Sequence, residues 1–183
     1  MKSQNPEIHD PFNVDLKTFY SLQLLEKLRN FWIFLGDIES EILSSKTQET
    51  AISSPVFITG LARSGTTILH EIVSEFSFFS THRYKHFPYI YAPYWRSLTS
   101  KFFSVSSAEK YERPHADGIK INRNSPAAIE EVIWSSFFKK LHDVNVSNIL
   151  DLTSKNTKFE EFYKEHIKKI LFMKNRGSAL IEF

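Results

Sequence analysis

The densest chemistry in the chain lies in eight residues, Gly60-Leu61-Ala62-Arg63-Ser64-Gly65-Thr66-Thr67. Gly60 and Gly65 let a backbone turn tightly and approach a ligand closely. Arg63 brings a full positive charge, and Thr66 and Thr67 bring hydroxyl donors. That combination suits a phosphate. A second set, His82 and His86, has the four-residue separation of metal ligands on a helix. It falls in the aromatic, proline-bearing stretch from Thr81 to Leu98, where a long helix is not expected, so no metal site is expected.

The elements around the loop must aim its donors. Val56-Phe57-Ile58-Thr59, after Pro55, predicts a buried parallel strand. A helix is predicted from Ser64 or Thr66 to about Phe76, with Ile68, Leu69, Ile72, Val73 and Phe76 on its apolar side. Strand, glycine turn and helix together gather backbone N–H groups at the positive end of a helix dipole, which favours an anion.

Upstream, Phe19, Leu22, Leu25, Leu28, Trp32, Leu35, Ile38 and Ile42 recur at helical spacing. They predict one or two helices, broken near Gly36 and packed on the core. Residues 44–54 read as a linker. Downstream, Ser125 and Pro126 are expected to cap and open a helix, with Glu130 and Glu131 near its favourable end. Another helix is predicted from Asn156 to Lys169, and Ile170 to Met173 is expected to begin a second strand.

Against the nucleotide triphosphatase loop G-x-x-x-x-G-K-[ST], Gly60, Gly65 and Thr67 fit, but Thr66 replaces the lysine. A kinase- or ATPase-like reading is therefore the alternative rather than the first choice. The basic residue stands instead at Arg63, and the order basic-Ser-Gly-Thr-Thr resembles the 5′-phosphosulfate loop of sulfotransferases that use 3′-phosphoadenosine 5′-phosphosulfate, PAPS. Ala62 stands where that family commonly has proline. THRYKHFPYIYAPYW resembles the family's aromatic segment, and ERPHADGIKINRNSPAAIEEVIW resembles a segment ending Ser-Pro-x-A-x-E-E-x-x-W. The likeness spans roughly Pro55 to Trp134.

This resemblance implies an α/β fold: a P-loop-type parallel sheet flanked by helices, with an N-terminal helical extension. Residues 1–54 would be the helical segment and linker, and 55–183 the N-terminal part of the α/β domain. It implies that Arg63, Ser64, Gly65, Thr66 and Thr67 cradle the phosphosulfate, Arg63 stabilising charge that develops on the leaving phosphate. It implies transfer of a sulfuryl group to a hydroxyl or amine. The acceptor class stays open among small molecules, lipids and carbohydrates. Family members use a histidine or carboxylate as base, and the matching segments offer His86, His115 and Glu130. Glu131 follows Glu130, but adjacent helical residues point about 100° apart, so at most one of them enters a pocket. Tyr84, Tyr89, Tyr91, Tyr94 and Trp95 would line an acceptor pocket or pack in the core.

An arginine and serine for the 3′-phosphate are not found in a matching context. The sheet is therefore expected to be incomplete and the chain to be a truncated sulfotransferase, or a non-catalytic remnant serving as an interaction protein. The composition fits one domain with a real core: 183 residues, 42% hydrophobic, 17 phenylalanines. Net charge is +2, which argues against nucleic acid as a partner. There is no cysteine, so disulfides and cysteine chemistry are excluded. The polar N-terminus and the lack of a long apolar run lead to a cytoplasmic expectation.

Overall fold

The computed structural model describes residues 16–61, 64–102, 111–112, 120–141, 143–147, 149–151, 153–174 and 178–182. The first amphipathic stretch forms helices α1 (Leu16–Lys27) and α2 (Arg29–Thr47), so α2 takes up the first residues of the expected linker. They meet at Leu28, not at Gly36. Backbone bonds carry across the junction, from Leu28 N–H to Leu24 O and from Trp32 N–H to Leu28 O, both 3.0 Å.

Strand β1 (Val56–Ile58) leads through the glycine loop into helix α3 (Thr66–Ser74) and strand β2 (Phe79–Ser80). A 3₁₀ turn (Tyr84–His86) and helix α4 (Pro93–Phe102) follow. Strands β3 (Tyr111–Glu112) and β4 (Lys120–Ile121) form a small antiparallel ladder. Helices α5 (Glu131–Phe137) and α6 (Thr157–Lys174) precede strand β5 (Ser178–Glu182). The main sheet has the order β1-β5-β2, with both pairs parallel. Phe57 stands opposite Ile181, and Phe79 opposite Ser178. Parallel neighbours require long crossovers, which α3 and the α4–α6 segment supply. The chain is thus a mixed α/β fold in which the last described strand lies between the first two.

Several expectations are corrected here. Ile170 to Met173 is not a strand but the end of α6, where Ile170 and Leu171 continue the helix's buried face. The strand comes later, at Ser178–Glu182. Pro93 opens α4 rather than forbidding a helix, since a first-turn proline lacks only an N–H that would be unpaired anyway. Ser125 and Pro126 do not start α5. Asn122 forms a side-chain turn instead, its Oδ1 accepting from Asn124 N–H at 2.8 Å and Ser125 N–H at 3.0 Å, and Pro126 bridges to Arg83. Strand β1 is only partly buried: Ile58 faces the core while Phe57 is 48% exposed. Helix α3 has the expected period but the opposite orientation. His70 and Ser74 are buried and Thr66, Thr67 and Val73 half-buried, while Ile68, Leu69, Ile72 and Phe76 look outward.

The core gathers on α6, whose Phe159, Phe162, Tyr163, Ile167 and Leu171 meet Leu25, Ile90, Tyr91 and Ile133. Trp134 packs on Phe159 with ring centroids 4.6 Å apart. Gly36 sits inside α2 because α2 and α6 approach there: a Cβ would stand 2.7 Å from both the Phe162 ring and Tyr91 O. Glycine costs a helix about 1 kcal/mol relative to alanine. Overpacking a core costs about 1–3 kcal/mol, and Tyr91 O is backbone, so it yields little. Gly36→Val is expected to destabilise by about 2–3 kcal/mol, seen as a lower urea midpoint at unchanged slope; an unchanged midpoint would contradict this packing.

Candidate functional site

At the glycine loop the chain turns back on itself. A Cβ on Gly60 would lie 2.5 Å from Ser64 Oγ and 2.9 Å from Thr66 Cγ2, so a larger residue would require these two side chains to shift. Ser64 N–H donates to Leu61 O at 3.0 Å. Gly65 precedes α3 with φ of 88°, in the left-handed region that favours glycine. Among the described residues no side chain caps α3. Its first N–H groups therefore point from the helix N-terminus with the dipole's partial positive charge behind them. Ser64, Gly65, Thr66 and Thr67 are thus brought together; Arg63 lies outside the described residues.

A second cluster lies against β2 and α6. His82 is buried between two other imidazoles. Its Nδ1 is 3.1 Å from His86 Nδ1, and its Nε2 is 2.8 Å from His166 Nε2. Arg83 N–H donates to His86 Nδ1 at 3.3 Å, so that nitrogen carries no proton. His82 Nδ1–H then donates to it, and His166 Nε2–H donates to His82 Nε2. His166 Nδ1 is left as a buried acceptor with no hydrogen bond among the described residues. This tautomer chain requires neutral rings, and burial favours them. Burial first, then neighbouring charge, lowers His82 to about 3 and His86 to about 2. His166 is pushed well below its ordinary value by burial and by His82.

Glu130 comes to the same region. It is buried at the start of α5, with Oε2 accepting from Ile129 N–H at 3.2 Å, while Glu131 is exposed. Glu130 lines a narrow cavity with Ser80, His82, Tyr163 and His166. Burial, with the Glu130 carboxylate beside it, raises the Tyr163 phenol. His70 ties α3 to this region through a 2.8 Å hydrogen bond between its Nε2 and Thr81 Oγ1.

Of the candidate bases, Glu130 and His86 therefore flank one histidine chain, and His115 lies outside the described residues. None of Ser64, Gly65, Thr66 or Thr67 lines the Glu130 cavity. A ring lowered to about 2 is a weak proton acceptor at neutral pH, which disfavours His86 as base relative to Glu130. His82 and His86 do meet, through the 3₁₀ turn rather than a helix. One ion cannot bind all three rings, because His82 faces its partners with opposite nitrogens. Among the described residues no group of three His, Asp or Glu is placed to hold a metal. Sequence reasoning passed over His166 and His70. The usable signal for His166 was its place on the aromatic face of α6, three residues after Tyr163.

Tyr91 is a packing residue more than pocket lining. Tyr91 is buried, its hydroxyl 2.6 Å from Ser136 Oγ. Among the described residues no helix is long and apolar enough to cross a membrane. No known protein family, curated protein or solved structure matches the chain.

Proposed function

We propose that the chain carries the phosphosulfate-binding part of a PAPS-dependent sulfotransferase. The observation that carries this reading is the closed loop at Gly60, which presents an uncapped helix N-terminus with two threonines directly after a parallel strand. The residues fit the group: Gly65 takes the left-handed turn into α3, and the first N–H groups of α3 match an anion. The sheet would be of P-loop type. In the reaction the acceptor's oxygen or nitrogen bonds to sulfur as the sulfur–oxygen bond to the leaving phosphate breaks. The acceptor's proton passes to a base, for which Glu130 is the better placed candidate by burial. Acceptors would be small molecules, lipids or carbohydrates. An interaction protein without turnover is the second reading, favoured by the outward apolar stripe of α3.

Calorimetric titration with 3′,5′-adenosine bisphosphate, beside ATP, tests the first reading. The bisphosphate is expected to bind at least tenfold tighter than ATP, and Arg63→Ala to weaken it about tenfold, or about 1.4 kcal/mol. Preference for ATP, or no binding of either, would overturn it. Turnover of PAPS with an acceptor panel separates the two readings.

A further inference from the structure

Away from the glycine loop, a second pocket opens between the 3₁₀ turn, α4 and the end of α6. Thr81, Arg83, Lys85, His86, Ser97 and Lys174 line it. Ile170 and Met173 give it an apolar wall. Three cationic side chains and two hydroxyls converge there in a chain whose net charge is only +2. The surroundings add to the excess. Arg96 acts on His86 together with Lys85 and Arg83, and Arg123 acts on Arg96. Glu75 acts on Arg83 with the opposite sign.

Like charges held together repel, and half-burial makes the repulsion stronger than in water. The arrangement is not simply a solvated face. Arg83 is half-buried and fixed by a hydrogen bond to Asn124 O. Arg96 lies over the Tyr89 ring, 5.6 Å from its centroid, and its buried Nε has no hydrogen bond among the described residues. His86 uses Nδ1 within the histidine chain, which leaves Nε2 as its N–H donor. Thr81 Oγ1 is held by His70. Arg83, His86 and Thr81 are therefore held in place before any ligand arrives, which lowers the cost of binding.

We propose that this pocket is a binding site for a tetrahedral oxyanion of the phosphate or sulfate type, separate from the Ser64–Thr67 loop. Guanidinium and ammonium groups with hydroxyl and imidazole donors suit such an anion through charge-assisted hydrogen bonds. The proposal does not depend on the sulfotransferase reading, because none of the described loop residues lines the pocket. The same chemistry would accept free phosphate or the phosphate of a small monoester, whose organic part would lie along Ile170 and Met173.

The test is a titration of the ¹⁵N-labelled chain with inorganic phosphate, and separately with glycerol 2-phosphate, at constant ionic strength. The Lys85, His86 and Ser97 amides report on the pocket, and the Gly65 and Thr66 amides report on the loop. Saturable shifts are expected at the pocket amides. Lys85→Gln and Lys174→Gln should each weaken that local affinity on the order of tenfold, and Arg63→Ala should leave it unchanged. Two substitutions are used so that one misfolded variant, visible as collapsed spectral dispersion, leaves the other to decide. Tighter binding of the ester would assign the ligand to phosphomonoesters, and equal binding to free phosphate. Non-saturable shifts, or pocket shifts indifferent to both lysine substitutions, or lost in Arg63→Ala, would overturn the proposal.

Discussion

Between pH 7 and pH 5 the fold is expected to lose several kcal/mol of stability through His82, His86 and His166. In the unfolded chain each imidazole takes up a proton near pH 6.5. In the fold His82 does so only near 3 and His86 near 2, and His166 is also lowered. Below 6.5 the unfolded chain therefore binds protons that the folded chain refuses, and stability falls as pH falls. Each unit of pH costs about 1.4 kcal/mol per ring, so three rings at pH 5 cost up to about 6 kcal/mol. Typical domains have only about 5–15 kcal/mol in total. Glu39, raised by burial, works in the opposite direction and makes the slope shallower. Urea midpoints across this range, with His166→Phe as comparison, provide the check. Removing one ring should flatten the dependence by about one proton. An equally steep dependence in the variant would show that the histidine chain is not its source.

Legibility in the sequence followed how local the cause was. Helix periodicity needs only neighbours along the chain, so the helical stretches of α1 with α2, of α3 and of α6 were readable, but not the α1–α2 junction or the end of α6. The glycine turn was readable because its residues are contiguous, and Gly65, at a φ of 88°, meets the backbone demand of the turn into α3. Helix orientation was not readable. Ile68, Leu69 and Ile72 make the more apolar stripe of α3, yet His70 faces inward because Thr81 waits for it across the turn. The break at Gly36 was misplaced for the same reason, since only the approach of Phe162, 126 positions away, explains that glycine. Likewise Ile170 to Met173 is apolar enough for a strand. It stays helical because Ile170 and Leu171 extend a face set by Phe159 and Phe162. His82 and His86 stood out only by their four-residue spacing and a candidate role, and nothing along the chain linked His166 to them. Their burial side by side depends on α6 crossing β2, 84 positions after His82.

Lys169→Met is expected to cost about 3–5 kcal/mol, the cost of leaving one partner of a buried ion pair uncompensated. Lys169 is 1% exposed and Glu39 is fully buried. Their charged ends stand 3.2 Å apart. The Lys169 ammonium also donates to Gly36 O at 2.9 Å and to Tyr91 O at 3.4 Å, so two backbone carbonyls back the ion pair. Glu39 does more than balance it. Its Oε1 accepts from Trp95 N–H at 2.7 Å, in the first turn of α4, where no intrahelical partner exists. A carboxylate at that end is favoured by the dipole as well. One pair therefore joins α2, α4 and α6 at the point where Gly36 lets α2 and α6 meet. Burial pushes Lys169 down and Glu39 up, each opposed by its partner's charge. Glu39→Gln keeps an oxygen for Trp95 but removes the charge facing Lys169, so it should destabilise less than Lys169→Met. The double variant Lys169→Met with Glu39→Gln discards both charges and should be more stable than the two single losses predict, by about 2 kcal/mol. Urea unfolding of all four proteins closes the cycle. Additive losses would mean that the two side chains do not act on each other and that Lys169 is held by the carbonyls of Gly36 and Tyr91 alone.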